Sequence, residues 1–74
     1  MNATNTKVIR TDAQTTVTLD SGDIITVTAV IINREVSMND LFILPEHMNT
    51  FNRLTPEKQT EVKRFAFNQI RIFK

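Results

Sequence analysis

The chain has no cysteine. That excludes a disulfide framework and a thiolate metal site, and a reducing compartment is expected. It has one glycine, Gly22, and no Gly-rich phosphate loop can be built from one. It has one histidine, His47, with no serine, cysteine or second histidine placed beside it by local spacing. His47 is a lone candidate general base, and the simpler reading is a partly exposed histidine on a short helix. No apolar run approaches the ~20 residues of a membrane span, and the opening Met1-Asn2-Ala3-Thr4-Asn5-Thr6 is polar, unlike a signal peptide. With 74 residues, one α+β domain covering 1–74 is expected, with 1–6 frayed. It is too small for a deep pocket. These absences point to a cytoplasmic chain that is not an enzyme and uses no cofactor and no metal.

The net charge of +1 says less than its distribution. Residues 1–50 carry three basic side chains against six acidic ones, a balance of −3; residues 51–74 carry six against two, a balance of +4. The cations gather in the last third.

What is present begins with a hairpin. Two runs rich in β-branched residues, Thr15–Leu19 and Ile24–Ile32, flank Gly22. A two-residue loop would set Asp20 opposite Asp23, a like-charge pair, and mix apolar with polar on both faces. A three-residue loop, Asp20 to Gly22 with Gly22 left-handed, pairs Leu19 with Asp23 and Val17 with Ile25. One face then carries Val17, Leu19, Ile25, Val27, Ala29 and Ile31. The other carries Thr16, Thr18, Ile24, Thr26 and Thr28. Asp20 and Asp23 lack the ligand count of a calcium loop, and the turn accounts for them. Upstream, Lys7 to Thr11 is β-prone, and Asp12-Ala13-Gln14 can turn it back as a third, edge strand.

Downstream, Asn33-Arg34 reads as a turn, and Glu35 to Ser37 as a short returning strand or an approach to helix. Ser37-x-x-Asp40 resembles a capping box and favours helix over Leu41–Leu44, although those four residues also suit a buried strand. Pro45 ends that element and can open a one- to two-turn helix bearing Met48, Phe51 and Leu54. Thr55 and Pro56 then start a long helix with Glu57 and Glu61 in its early turns. Its apolar stripe is Val62, Phe65, Ala66, Ile70 and Phe73, with Ile72 at the edge. The stretch Leu54 to Phe65 resembles the helix openings of many small bacterial regulatory and antitoxin-type proteins, through capping and patterning rather than a diagnostic motif.

The same helix holds the functional candidate. Lys63, Phe67, Arg71 and Lys74 follow i, i+4, i+8, i+11 spacing, with Arg64 beside them. This sets an aromatic among four cations on the outer face, roughly opposite or oblique to the stripe. Such a patch suits an acidic protein surface or, with the ring stacking on bases, nucleic acid. The plainer reading buries Phe67 against Leu41–Leu44 and leaves the charges as a solvated rim. The expected fold is therefore α+β: a hairpin or three-stranded antiparallel meander, one or two short helices, and a long C-terminal helix packed on the sheet. The expected function is non-catalytic binding of a larger, acidic-surfaced protein through Lys63, Arg64, Phe67, Arg71 and Lys74, as a phage- or bacterium-encoded inhibitor or modulator. A nucleic-acid-binding regulator using the same helix is the alternative, disfavoured by the near-neutral net charge. No membrane partner is expected, and self-assembly by strand addition at the sheet edge is a third route.

Overall fold

The computed structural model describes residues 1–8, 12–33 and 35–73, with the backbone alone at 72 and 73. Four strands, β1 (Asn2–Val8), β2 (Asp12–Thr18), β3 (Ile24–Val30) and β4 (Leu41–Ile43), form one antiparallel sheet in the order β1-β2-β3-β4. Two helices follow, α1 (Met48–Asn52) and α2 (Pro56–Phe73), and α2 lies against β1 and β2. The fold is α+β, with its C-terminal helix on the sheet as the apolar stripe requires.

The central hairpin has the three-residue loop. Val17 stands opposite Ile25 and Thr18 opposite Ile24. Leu19 N donates to Asp23 O at 2.8 Å, Gly22 N donates to Leu19 O at 2.9 Å, and Gly22 has φ +93°. Ser21 Oγ donates to Asp23 Oδ2 at 2.9 Å, which fixes the turn from the side-chain level. The inner face buries Val17, Leu19, Ile25, Val27 and Ala29, joined by Ala13, Leu41 and Ile43. From α2 it receives Val62, Ala66 and Ile70, and from α1 Phe51. Each fully buried valine or isoleucine among them contributes about 1.5–3 kcal/mol.

Two expectations are corrected. The chain does not fray through residue 6: the edge strand runs from Asn2 to Val8, and Asp12 to Gln14 belong to β2 rather than to a turn. The expected strand at 7–11 overlaps it only at Lys7 and Val8, since 9–11 lie outside the described residues. A bulge hides this strand from a period-2 reading. Between Thr4, opposite Thr16, and Lys7, opposite Gln14, two residues face one, and Asn5 has φ 52°. Asparagine tolerates that left-handed geometry. The extra residue turns Thr6 and Val8 inward alongside Ala3, all three half-buried, and Thr6 Oγ1 pairs with the buried Thr15 Oγ1 at 2.7 Å.

The second correction concerns Leu41 to Leu44, where the Ser37 cue favoured helix. Ser37 does cap, accepting from Asn39 N at 3.2 Å, but the helix it caps is one 3₁₀ turn, Met38–Asp40. Leu41–Ile43 then pairs with Val27–Ala29 as β4, burying Leu41 and Ile43 and exposing Phe42. Alternation over three residues is too short a signal to outweigh a cap in sequence; the open edge of β3 decides it. Before this, Ile32 and Glu35 exchange both backbone bonds, with Asn33 at φ 53° between them; the other residue of the expected turn, Arg34, lies outside the described residues.

Pro45 ends β4 and opens a 3₁₀ turn, Pro45–His47, which runs into α1. Among the described residues no helix is long and apolar enough to cross a membrane.

Candidate functional site

Helix α2 starts as its sequence dictates. Thr55 Oγ1 accepts from Lys58 N at 3.2 Å, and Pro56 occupies the first helical position. Gln59 Nε2 donates to Phe51 O at 3.2 Å and to Leu54 O at 3.1 Å, occupying carbonyls at the end of α1. That clamp sets α1 beside the first turns of α2 and carries the Phe51 ring under Lys63, whose Nζ lies 5.6 Å from its centroid.

Val62, Ala66 and Ile70, four residues apart, are the fully buried line of α2. Phe65 and Phe67 stand one residue to either side of Ala66, about 100° away in opposite directions. Both are half-buried and pack against the core. Phe67 is thus on a flank of the helix rather than its outer face, and Phe65 is on the other flank rather than in the buried line. The ring of Phe67 borders the same open space as Val36 and Glu35 from the return after β3. Together with Arg71 these residues line an open concavity of about 450 Å³. The Arg71 guanidinium carbon lies 5.7 Å from the Phe67 centroid, within cation–π range.

The structure brings Lys63, Phe67 and Arg71 onto one flank, with Lys63 half-buried and Arg71 exposed. Arg64 is exposed further round the helix, and Lys74 lies outside the described residues. Among the described residues the ion pairs are the Met1 amino group with Asp20 at 3.2 Å and Lys58 with Glu61 at 3.6 Å. Lys63, Arg64 and Arg71 have no carboxylate within pairing distance in that set. The concavity therefore offers a ring, a branched aliphatic side chain, a guanidinium and one carboxylate.

Glu35 and Val36 are the lining residues that spacing does not reveal. They reach α2 through the turn at Asn33, and the only sequence signal is that turn's capacity to send the chain back.

His47 has a structural task. Its Nδ1 accepts from Thr26 N at 2.9 Å, so that atom carries the lone pair and the ring proton sits on Nε2. Asp20 and Asp23 are engaged by the Met1 amino group and Ser21. Among the described residues no group of three or more His, Cys, Asp or Glu side chains could hold a metal ion. The chain matches no protein-family model, no curated protein and no solved structure.

Proposed function

We propose that this chain is a non-catalytic, cytoplasmic binding module that engages an acidic surface of a larger protein, as an inhibitor or modulator, through the flank of α2 carrying Lys63, Phe67 and Arg71, with Arg64 further round the helix and Lys74 later in the sequence. One observation carries the reading. Two cations on that flank, Lys63 and Arg71, are held over aromatic rings at 5.6 and 5.7 Å, with no carboxylate within pairing distance among the described residues. Eight residues of helix put them about 12 Å apart. A stacked cation has already given up much of its side-chain freedom, so pairing with a partner's carboxylate costs less ordering entropy. The concavity beside Arg71 supplies the apolar contact that anchors such interfaces.

Nucleic acid is less well supported. Arg71 lies over the Phe67 ring, which leaves that face unavailable as a stacking platform. Glu35 lines the concavity, and Glu57 and Glu61 are exposed on the same helix.

The test is capture from a bacterial lysate with nuclease present, followed by titration of the captured protein against Lys63→Glu and Arg71→Glu variants. The expected result is one retained protein whose affinity falls at least tenfold in each variant and survives high salt in part, because the aromatic contact is not screened. Loss of all captured material to nuclease, or micromolar binding to a generic duplex at physiological salt, overturns the reading.

A further inference from the structure

We propose that His47 is an acid-sensitive latch: its neutral ring fastens the segment 45–52 to β3, and protonation releases that end. The inference goes beyond the binding role of the α2 flank and does not depend on it.

The segment between β4 and α2 is held near its two ends by single side chains. At the far end Gln59 Nε2 donates to Phe51 O and to Leu54 O. At the near end His47 Nδ1 accepts from Thr26 N at 2.9 Å, beside the bond from Leu44 N to Thr26 O at 3.1 Å. The Gln59 clamp is an amide and does not titrate. The His47 clamp is an imidazole, whose ordinary titration lies near pH 6.5.

The latch works through one lone pair. Nδ1 can accept from the Thr26 N–H or hold a proton, but not both, because in imidazolium both ring nitrogens are donors. Turning the ring over does not help, since that brings a C–H to the place of Nδ1. Protonation therefore sets two donors against each other, and the bond is lost. Thr26 is buried, so its amide regains a partner only when the turn at Pro45–His47 moves off β3 and admits water. His47 itself is half-buried, which leaves its ring within reach of a solvent proton.

The surroundings leave His47 to titrate alone. The elements packed against its turn, β3 and α1, carry no ionisable side chain, and neither does β4. The charges nearest in sequence are the exposed Glu46 beside it, Asp23 before β3 and Arg53 after α1; across the chain, Lys63 stands over the Phe51 ring of α1. Among the described residues no carboxylate pairs with His47, so no counter-charge keeps a protonated ring in place. The direction follows from linkage. The released segment takes a proton at His47 freely, whereas the latched one takes it only by giving up the Thr26 bond, so release gains as the pH falls. The latch is closed above histidine's ordinary range and opens below it.

The experiment is amide hydrogen exchange by NMR on the full chain at about pH 7.5 and about pH 5, each rate divided by the intrinsic rate at that pH. Both conditions lie above the ordinary carboxylate range, near 4. Protection of the Thr26 amide should fall about tenfold or more at the lower pH, with a midpoint matching the imidazole titration read from the ring-nitrogen shifts. The Val27 amide, which alternation directs at β2, should keep its protection. In His47→Asn, whose side chain does not titrate, Thr26 protection should not change with pH. Thr26 protection equal at both pH values in the parent overturns the proposal, as does a fall shared equally by Val27 or one that persists in His47→Asn. A neutral ring found to carry its proton on Nδ1 would overturn it on the parent alone.

Discussion

Replacing His47 tests how the sheet is finished beyond β4. The Thr26 N–H points away from β2, towards β4. A continuing ladder would pair Thr26 with Leu44 through two bonds, and one forms: Leu44 N donates to Thr26 O at 3.1 Å. The other is lost because Pro45 opens a 3₁₀ turn and Leu44 O accepts from His47 N at 2.9 Å instead. His47 Nδ1 takes the place of the missing carbonyl, at 2.9 Å from Thr26 N. Thr26 is only 4% exposed, so water does not readily substitute. His47→Ala leaves a buried N–H unpartnered and should cost about 1–3 kcal/mol. For a domain of this size each kcal/mol moves the melting midpoint by about 4–8 °C.

The pattern across variants separates the hydrogen bond from general loss of packing. Asparagine carries an acceptor on the same atom of the side chain as Nδ1, whereas glutamine carries its amide one bond further out. His47→Asn should therefore retain most of the stability, and His47→Gln should fall with His47→Ala. Urea unfolding reads this as a shifted midpoint at constant slope, and hydrogen exchange should speed at the Thr26 amide in the alanine and glutamine variants. Equal losses for asparagine and alanine would refute the reasoning, as would an unchanged Thr26 amide in His47→Ala.

Two further outcomes concern the hairpin and the edge strand. A Cβ at Gly22 meets nothing within 4 Å, so the cost of Gly22→Val is backbone strain at φ +93°, about 1–3 kcal/mol; an unchanged denaturation midpoint would rule out the left-handed loop. Thr6→Val or Thr15→Val alone should cost about 1–3 kcal/mol by orphaning the other hydroxyl. The double variant should cost clearly less than the two together, and strict additivity in the cycle would show that the pair is not coupled.

The hairpin was legible because several independent constraints met at one place: a single glycine, two aspartates that avoid facing each other, and alternation on both sides. Strand β1 was not legible, since the constraint that shapes it is a bulge. Read at period 2, Asn2 to Val8 is a polar start with Ala3, Asn5 and Lys7 on one side. One left-handed residue at Asn5 changes the phase and puts Ala3, Thr6 and Val8 on that side instead. Such a shift shows only once β2 is there to count against. His47 was opaque for the same reason: nothing near it in sequence announces that the β3 ladder runs out at Thr26, 21 residues away.

Helix α2 shows where amphipathic patterning stops being informative. Its start at Thr55 and Pro56 and its buried line at Val62, Ala66 and Ile70 follow from local chemistry. Phe65 and Phe67 do not. They are the same residue type at mirror-image angles from Ala66, so hydrophobicity cannot rank one inside and the other outside. What differs is what each flank faces, and on the Phe67 side Val36 lines the same concavity, brought there by the turn at Asn33 and the return towards β4. The cations at Lys63 and Arg71 are equally visible in the spacing, and so is the Phe67 ring four residues before Arg71, but the ring beneath Lys63 is not. Phe51 reaches Lys63 from α1 because Gln59 clamps the end of that helix, and Phe67 is under Arg71 only through their four-residue separation. The patch is thus local in its charges and tertiary in its supports. Removing Gln59's amide should loosen the Lys63 end of the flank while leaving Arg71 over Phe67.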